Sequence, residues 1–406
     1  MTIMIIDHYA GSPNMGMEYR PYYLAKYWEK QGHKAVIVCA SYSHLRQNNP
    51  KGKGKIWEER REGVTYVFIK TPAYVQNNLG RASNIFYFLK GLYQYGGRLA
   101  RQYAPKVVVA SSTYPFDLFP AAKIADRLGA KLVYEIHDLW PLSLTELHHF
   151  SKYSPIIWAV NKAQHVGVKR ADLVASVIEQ GDRYLAEQKL HPTRYQHIPN
   201  GVEISPTAPG TNSPCAQFIA KCKAQGRFVA MYLGGFAQGN YLEPLILGAA
   251  SLKGSIEVVL VGDGMEKERL KAMAAKHHIS NVHFFPSVPK NNVQCLLRQA
   301  DCLYIGTSPS PLYRYGVAMN KLFDYMLAAR PILFSTGAKN NPVAKAHCGI
   351  MVPPGNPQVV AKGLLQFCGM SQSQRDAIGK RGEEYCRRCH SYQAISQEFL
   401  SAISKL

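Results

Sequence analysis

The stretch TIMIIDHYAGSPNMGMEYRPYYLAKYWEKQGHKAVIVCA (residues 2–40) contains the pattern that decides the fold. A short apolar run is followed by a glycine-containing loop and then by a segment with helical spacing, in which Leu24 and Trp28 form an i,i+4 pair. Gly32 ends that segment, and KAVIVCA is the next apolar run. Strand, loop, helix and strand in this order form a βαβ unit, which predicts a parallel sheet.

The same alternation continues along the chain and is interrupted once. The interruption, PNGVEISPTAPGTNSP (residues 199–214), is rich in Pro, Gly, Ser and Thr and has no apolar period, so it reads as a linker. We therefore predict an α/β protein with two doubly wound, Rossmann-like parallel-sheet domains facing a central cleft. The expected parts are an N-terminal domain (1–200), a linker (201–225), a C-terminal domain (226–389) and a final helix (about 390–406) that packs back on the first domain. Ligands of such sheets bind at the carboxyl ends of the strands.

The charge distribution limits the partners. The formal net charge is +21, and no acidic residue lies between Glu62 and Asp117, an interval that holds basic residues interleaved with aromatic ones. That combination suits an anionic membrane surface, suits nucleic acid equally, and also fits a solvated basic helix with its aromatic residues in the core. Nine scattered cysteines favour a reducing compartment. No signal peptide or spanning segment is expected, so the sequence predicts a cytoplasmic protein whose membrane contact is peripheral.

The segment MNKLFDYML is predicted to begin a helix whose first turn binds an anion. Asn320 fits an N-cap, and the free amides that follow, with Leu322 among them, point out of the positive end of the helix. Lys321 adds a charge there, and Asp324 can accept hydrogen bonds from sugar hydroxyls. Phosphate donors and a hydroxyl acceptor within one turn fit a nucleotide. An ordinary capped helix is the alternative that these residues leave open.

Several segments together resemble the family-four retaining glycosyltransferases, which have the GT-B fold. They are GVAMNKLFDYMLAARPILFS, YEIHDLWPLS, LVGDGMEKERL, VPKNNVQCLLRQADCLYI and the opening NMGMEYRPYYLAKYWEKQGHKAVIVCASYSHLR. The NKLFDYM variant is similar to the branch found in O-antigen and capsule gene clusters, which includes N-acetylfucosamine and N-acetylhexosamine transferases. The resemblance covers nearly the whole chain, and it implies a UDP-sugar donor and no metal cofactor. No Asp-x-Asp motif is present.

The resemblance also implies roles for individual residues. Asp324 falls on the family's ribose-binding position, and His137 falls on the active-site histidine beside the transferred sugar. We thus expect a catalytic group of His137, Lys321 and Asp324. The expected donor-binding residues are Gly16, Gly235, Gln238, Gly262, Val288, Arg314, Asn320, Lys321, Leu322 and Asp324, and the expected acceptor-binding residues are Glu18, Arg20, Asp138 and Trp140.

The sequence departs from the family pattern in the loop YLGGFAQGNYLEP, where most members carry an Arg and a Lys that clamp the diphosphate. Gly235 and Gln238 lie near those positions, and the loop has no basic residue. Lys321, helped by Arg314, is therefore the predicted source of that charge.

The expected function is transfer of an N-acetylated amino sugar from a UDP-sugar to a polyprenyl-diphosphate-linked or other glycan acceptor, in bacterial surface polysaccharide synthesis. The expected partners are the donor, the lipid-linked acceptor and an anionic membrane surface. Two alternatives stay open. A nucleotide-sugar epimerase of the same shape would use carboxylates such as Asp7, Glu135 and Asp138. A basic nucleic-acid-binding protein would explain the charge but not the motifs.

Overall fold

The computed structural model describes residues 1–75, 79–147, 149–205 and 213–406. The chain divides into two compact units, one of residues Met1–Glu203 with Tyr392–Leu406 and one of residues Ile204–Ser391. Each unit is built on one twisted sheet with helices on its faces, so the α/β class with two Rossmann-like domains is confirmed. No helix within the described residues is both long and apolar enough to cross a membrane.

The N-terminal unit contains an eight-stranded sheet with the order β3-β4-β2-β1-β5-β6-β7-β8 among its described residues. Its strands are β1 (Thr2–Ile6), β2 (Lys34–Ala40), β3 (Ile56–Arg61), β4 (Val64–Ile69), β5 (Val107–Ala110), β6 (Lys131–Ile136), β7 (Leu173–Ser176) and β8 (Tyr195–His197). All pairs are parallel except β3 with β4, which form an antiparallel hairpin at one edge. Glu62 and Gly63 make its turn with positive φ angles of 46° and 85°.

The helices of this unit cover both faces of the sheet. They are α1 (Arg20–Lys30), α2 (Leu79–Tyr103), α3 (Leu118–Asp126), α4 (Leu142–Leu147), α5 (Pro155–Arg170) and α6 (Gly181–Glu187). The predicted basic interval 63–116 therefore contains β4, α2 and β5. Phe88 of α2 is fully buried, whereas Phe86 and Tyr87 are exposed, so only part of that interval is available to a partner.

The C-terminal unit has a parallel sheet with the order β11-β10-β9-β12-β13-β14. The strands are β9 (Phe228–Leu233), β10 (Ile256–Val261), β11 (Val282–Phe285), β12 (Cys302–Gly306), β13 (Ile332–Ser335) and β14 (Gly349–Val352). The helices are α7 (Pro214–Ala224), α8 (Glu243–Ala249), α9 (Lys267–Lys276), α10 (Lys290–Leu297), α11 (Asn320–Leu327), α12 (Pro342–Lys345), α13 (Pro357–Cys368) and α14 (Gln372–Cys389).

The predicted linker 201–225 is only partly a linker. Helix α7 lies inside it and packs on β9, burying Ile219 and Cys222, so the second unit begins earlier in the sequence than residue 226. The Pro, Gly, Ser and Thr content of the preceding residues concealed this helix. Ser213 caps it by accepting a hydrogen bond from the amide of Ala216 at 3.2 Å. The central part of the predicted linker, residues 206–212, lies outside the described residues.

The final helix, α15 (Tyr392–Ser404), belongs to the N-terminal unit, where it packs on α1. The indole Nε1 of Trp28 donates a 2.9 Å hydrogen bond to the carbonyl of Ser396, and the Trp28 ring meets Phe399 edge to face. Trp28, Ile395 and Phe399 are fully buried in one core with strands β1 and β2. This packing joins the two ends of the chain.

Candidate functional site

In the N-terminal unit, polar and titratable side chains gather where three neighbouring strands end. Asp7 follows β1, Ser111 follows β5 and His137 follows β6. These strands are adjacent and parallel in the sheet, so their carboxyl ends meet at one edge. The βαβ pattern predicts that edge as the ligand-binding edge.

Glu135 and Arg20 form a buried ion pair beneath this edge. The Arg20 guanidinium donates to Glu135 Oε1 at 2.8 and 3.2 Å, and both side chains are only 1% exposed. Arg20 also donates to the carbonyls of Ile198 and Pro199, at 3.0 and 2.6 Å. The prediction that Arg20 faces the acceptor is wrong, because the side chain is buried and its guanidinium is hydrogen-bonded to Glu135 and to two backbone carbonyls. Sequence alone gave no sign of its partner, which is 115 positions away.

His137 is tied to the same ion pair. Its Nε2 lies 3.1 Å from Ser111 Oγ and 3.3 Å from Glu135 Oε2, and Ser111 Oγ donates to that carboxylate oxygen at 2.6 Å. Burial lowers the pKa of His137, but the hydrogen bond and the charge of Glu135 raise it by more, so the net shift is upward. The imidazole is thus oriented and favoured in its protonated form.

Glu135 stays ionised in this setting. Burial raises the pKa of Glu135, while the Arg20 guanidinium and His137 lower it by more, which holds it well below its usual range. Asp7 behaves differently, because burial raises its pKa to about 7. Its Oδ1 accepts a 2.8 Å hydrogen bond from the amide of Tyr9 and so supports the loop after β1.

The other residues predicted for this unit lie in two loops. Gly16 is buried with φ 107°, and its amide donates to the Ser12 carbonyl at 2.8 Å, so that amide is already used and is not free for a diphosphate. Glu18 is half-buried in the same loop. Asp138 and Trp140 follow β6, and the Trp140 indole donates to the carbonyl of Thr113 at 3.1 Å.

In the C-terminal unit, a cavity of about 270 Å³ lies at the carboxyl ends of β9, β10 and β11. Its lining residues are Leu233, Gly234, Gly235, Val261, Gly262, Asp263, Ser287 and Val288. Glycine is required at Gly262, because a Cβ there would lie 1.9 Å from the carbonyl oxygen of Gly234 and the backbone has φ 150°. The structure thus brings the predicted donor residues Gly235, Gly262 and Val288 together around one space.

Helix α11 begins beside this cavity, but not with the predicted cap. Met319 is the N-cap, Asn320 is the first helical residue, and no side chain caps the helix. The Leu322 amide donates to the Met319 carbonyl at 3.1 Å, so it is not among the free amides. Asn320 Oδ1 is buried and has no hydrogen-bond partner within the described residues, which makes it a group in need of a ligand or water.

Lys321 reaches back from α11 to the end of β9. Its Nζ is bonded to Tyr232 Oη at 2.8 Å and to Asn240 Oδ1 at 2.5 Å, and it lies 4.8 Å from the centre of the Tyr232 ring. A Cβ built on Gly234 would lie 3.3 Å from this ammonium. The charge therefore lies over the glycine loop that has no basic residue of its own. Because burial disfavours the ammonium, the pKa of Lys321 is lowered to about 7.

Asp324 lies one turn further along α11 and is paired with a lysine that was not among the predicted site residues. Lys290 Nζ donates to both Asp324 carboxylate oxygens at 2.7 Å. Lys290 is the first residue of α10 and lies two positions after Val288, which lines the cavity. Its position after Pro289, at the start of a predicted helix, was the one sign in the sequence that Lys290 could lie near the site. Nothing in the sequence indicated that α10 packs on α11.

The remaining predicted donor residues lie near the same loop. The Gly235 carbonyl accepts from Tyr232 Oη and Asn240 Nδ2, at 2.6 and 2.7 Å, which fixes the loop around Lys321. Gln238 is exposed in a short 3₁₀ helix. Arg314 lies on another 3₁₀ helix with its guanidinium over the Tyr315 ring, 4.7 Å from its centre. Among the described residues, no cluster of three or more His, Cys, Asp or Glu could hold a metal ion.

Two family models match the chain. The model described as "Glycosyl transferase 4-like domain" matches residues 15–201, and the model described as "Glycosyl transferases group 1" matches residues 227–369. The matched ranges lie in the N-terminal and the C-terminal unit respectively.

Individual proteins agree with these models at low identity. An uncharacterized glycosyltransferase, MJ1069, from Methanocaldococcus jannaschii is 20% identical over 240 residues, which are 59% of this chain and 59% of that protein. Sucrose-phosphate synthase from Thermosynechococcus elongatus superposes with a TM-score of 0.74 at 14% identity, over 100% of this chain and 98% of that one. Anabaena HepE, solved in complex with UDP and glucose, gives a TM-score of 0.70 at 15% identity over the whole of both chains.

Proposed function

Since both units match glycosyltransferase family models and the chain has the GT-B fold, we propose that it transfers an N-acetylated amino sugar from a UDP-sugar to a polyprenyl-diphosphate-linked or other glycan acceptor. The observation that supports a UDP-sugar donor is the position of Lys321, Asn320 and Asp324 near the glycine-lined cavity. Structural neighbours support uridine as the base, because HepE is solved with UDP and with UDP-glucose. The NKLFDYM resemblance supports the amino sugar and a role in bacterial surface polysaccharide synthesis.

The donor is held by complementary groups in the C-terminal unit. The cavity near Val288 takes the base, Asp324 accepts from the ribose hydroxyls, and the first turn of α11 with Lys321 binds the diphosphate. As the bond from the anomeric carbon to the diphosphate oxygen breaks, negative charge builds up on that oxygen. A preorganised ammonium and helix end stabilise this charge more than they stabilise the ground state, by a few kcal/mol for each donor.

The transfer proceeds with retention in this proposal. The acceptor hydroxyl attacks the anomeric carbon on the face from which UDP departs, and a diphosphate oxygen takes the proton of that hydroxyl. His137 contacts the transferred sugar rather than acting as a base, because Glu135 favours its protonated form. NMR of the anomeric proton in the product, with a donor of known configuration, tests this directly, and an inverted product would contradict it.

The epimerase alternative is not favoured by any observation. Of the carboxylates it would use, Glu135 is committed to Arg20 and the Asp7 carboxylate supports the loop after β1. Nucleic-acid binding rests on the net charge and on the basic, aromatic interval 63–116, and both units match glycosyltransferase models instead.

An anionic membrane surface is the proposed partner of the N-terminal unit, in a cytoplasmic, peripheral arrangement that suits a lipid-linked acceptor. Helix α5 supports this more clearly than the interval 63–116 does. Its sequence has no acidic residue, Trp158 is 65% exposed, and Lys162 Nζ lies 4.9 Å from the centre of that ring. Tyr153, just before the helix, is 83% exposed. Exposed aromatic residues beside lysines are typical of membrane-surface segments.

The donor assignment is tested by thermal unfolding with UDP, GDP, ADP and their sugars, on wild type and Asp324→Ala. Ligand present at about a hundredfold excess over its dissociation constant should add roughly 2.7 kcal/mol to the unfolding free energy. We expect UDP compounds to stabilise the wild type and Asp324→Ala to lose that effect. Asp376→Ala, which removes an exposed ion-paired carboxylate elsewhere on the unit, is the matched control. Equal stabilisation of all variants would refute the ribose contact.

A further inference from the structure

Lys290 is a charged residue near the cavity, and Asp324 is the one ion-pair partner of its side chain found within the described residues. Its ammonium lies 2.7 Å from each carboxylate oxygen. The two sides of the pair differ in exposure, because the Lys290 side chain is 54% exposed whereas Asp324 is 15% exposed. The lysine thus approaches the carboxylate from the solvent side.

This position is the one that a ribose diol would occupy. A diol that donates to both oxygens of a carboxylate places its hydroxyls where the ammonium now lies. A nucleoside that binds Asp324 in this way therefore displaces Lys290. The displacement is easy, because a half-exposed ion pair adds little to stability and the lysine side chain is long and flexible.

The released ammonium has a strong partner within reach. Asp324 and Lys321 are three residues apart on α11, so both project on the same face within one 5.4 Å turn. A diphosphate bound at the first turn of α11 therefore lies about one helical turn from Asp324, the residue that Lys290 leaves. Anionic oxygens attract an ammonium more strongly than ribose hydroxyls do.

We propose that Lys290 is a donor-recognition residue. Its ammonium pairs with Asp324 in the empty site and moves to form an ion pair with the diphosphate when the nucleotide binds. This inference rests on the proposed function, since it assigns a new contact to the same donor site. A lysine with this role affects charged and uncharged ligands differently, whereas a lysine with a purely structural role affects both in the same way. Loss of Lys290 harms binding of a charged nucleotide but spares binding of the uncharged nucleoside.

The test compares UDP with uridine by isothermal titration calorimetry on wild type and Lys290→Ala. We expect UDP to bind about tenfold to a hundredfold more weakly to the variant, the usual loss for a hydrogen bond to a charged group. Uridine should bind equally well or more tightly, because the carboxylate is no longer blocked. Lys290→Arg should recover most of the UDP affinity.

A matched control is Lys271→Ala, which removes another half-exposed lysine in an ion pair, with Glu268 at 2.9 Å; it should leave both affinities unchanged. The inference is overturned if Lys290→Ala leaves UDP binding unchanged, tightens it, or weakens UDP and uridine by the same factor. Failure of the proposed function has a different signature. If the proposed function is wrong, the wild type binds no UDP. If the wild type prefers another nucleoside diphosphate, Lys290→Ala is compared with wild type using that diphosphate and its nucleoside.

Discussion

UDP binding should take up a proton above pH 7, because Lys321 is held by groups that do not carry a negative charge. Its ammonium contacts Tyr232 Oη and Asn240 Oδ1, and burial lowers its pKa to about 7. A diphosphate beside it would stabilise the ammonium and raise that pKa. The proton on Lys321 is then bound more tightly in the complex than in the empty site.

The sign and size of the pH dependence follow by linkage. UDP affinity should be full below pH 7, where Lys321 is already protonated, and should fall as pH rises from 7 towards the pKa in the complex. Each pH unit in that window costs about 1.4 kcal/mol, which is about a tenfold loss of affinity. The terminal phosphate of UDP, with a pKa of about 6, is already about 90% ionised at pH 7 and adds little slope above it. Burial raises the pKa of the neighbouring Tyr232 hydroxyl, so that group does not titrate either.

Calorimetry at pH 8 in buffers of different ionisation enthalpy measures the proton uptake directly. We expect close to one proton for each UDP bound to the wild type, and none for Lys321→Arg, whose guanidinium is always charged. Lys321→Met should bind UDP more weakly and without a pH slope. If the wild type binds UDP at pH 8 with no proton uptake, the assignment of Lys321 to the diphosphate is refuted.

Three further changes test other parts of the structure. Arg20→Ala should lower the unfolding free energy in urea by about 3–5 kcal/mol, because it leaves the buried Glu135 charge unpaired; a loss under about 1 kcal/mol would show that the pair is not needed. Gly262→Ala should weaken UDP binding and lower the unfolding free energy by about 1–3 kcal/mol, because the new Cβ would lie 1.9 Å from the carbonyl oxygen of Gly234. Unchanged UDP affinity would mean that the nucleotide binds elsewhere. Trp158→Ser with Lys162→Glu should weaken binding to phosphatidylglycerol vesicles, measured by flotation, and the charge reversal alone should cost about 2 kcal/mol of binding free energy. A charge reversal on α9 should leave vesicle binding unchanged. If both variants float equally well, α5 is not part of the membrane surface.

The site could be predicted where it depends on residues close together in the sequence. Lys321 and Asp324 are three positions apart, so helical spacing alone places them on one face of α11. The same reasoning failed for Asn320, because the boundary of a helix depends on the backbone conformation at its first residue. Met319 adopts the extended conformation of an N-cap, and Asn320 is already helical.

By itself, the sequence determined the two-domain α/β organisation, the ligand edge of each sheet and the segments that carry the family resemblance. Apolar periodicity and glycine positions act locally, so they can be read from neighbouring residues. Only the tertiary structure decided that Arg20 is a buried partner of Glu135, that Lys321 reaches Asn240 on a different loop, and that Lys290 faces Asp324. These pairs join residues that are 34 to 115 positions apart, and the residues meet because parallel strands bring distant segments to the same edge of the sheet.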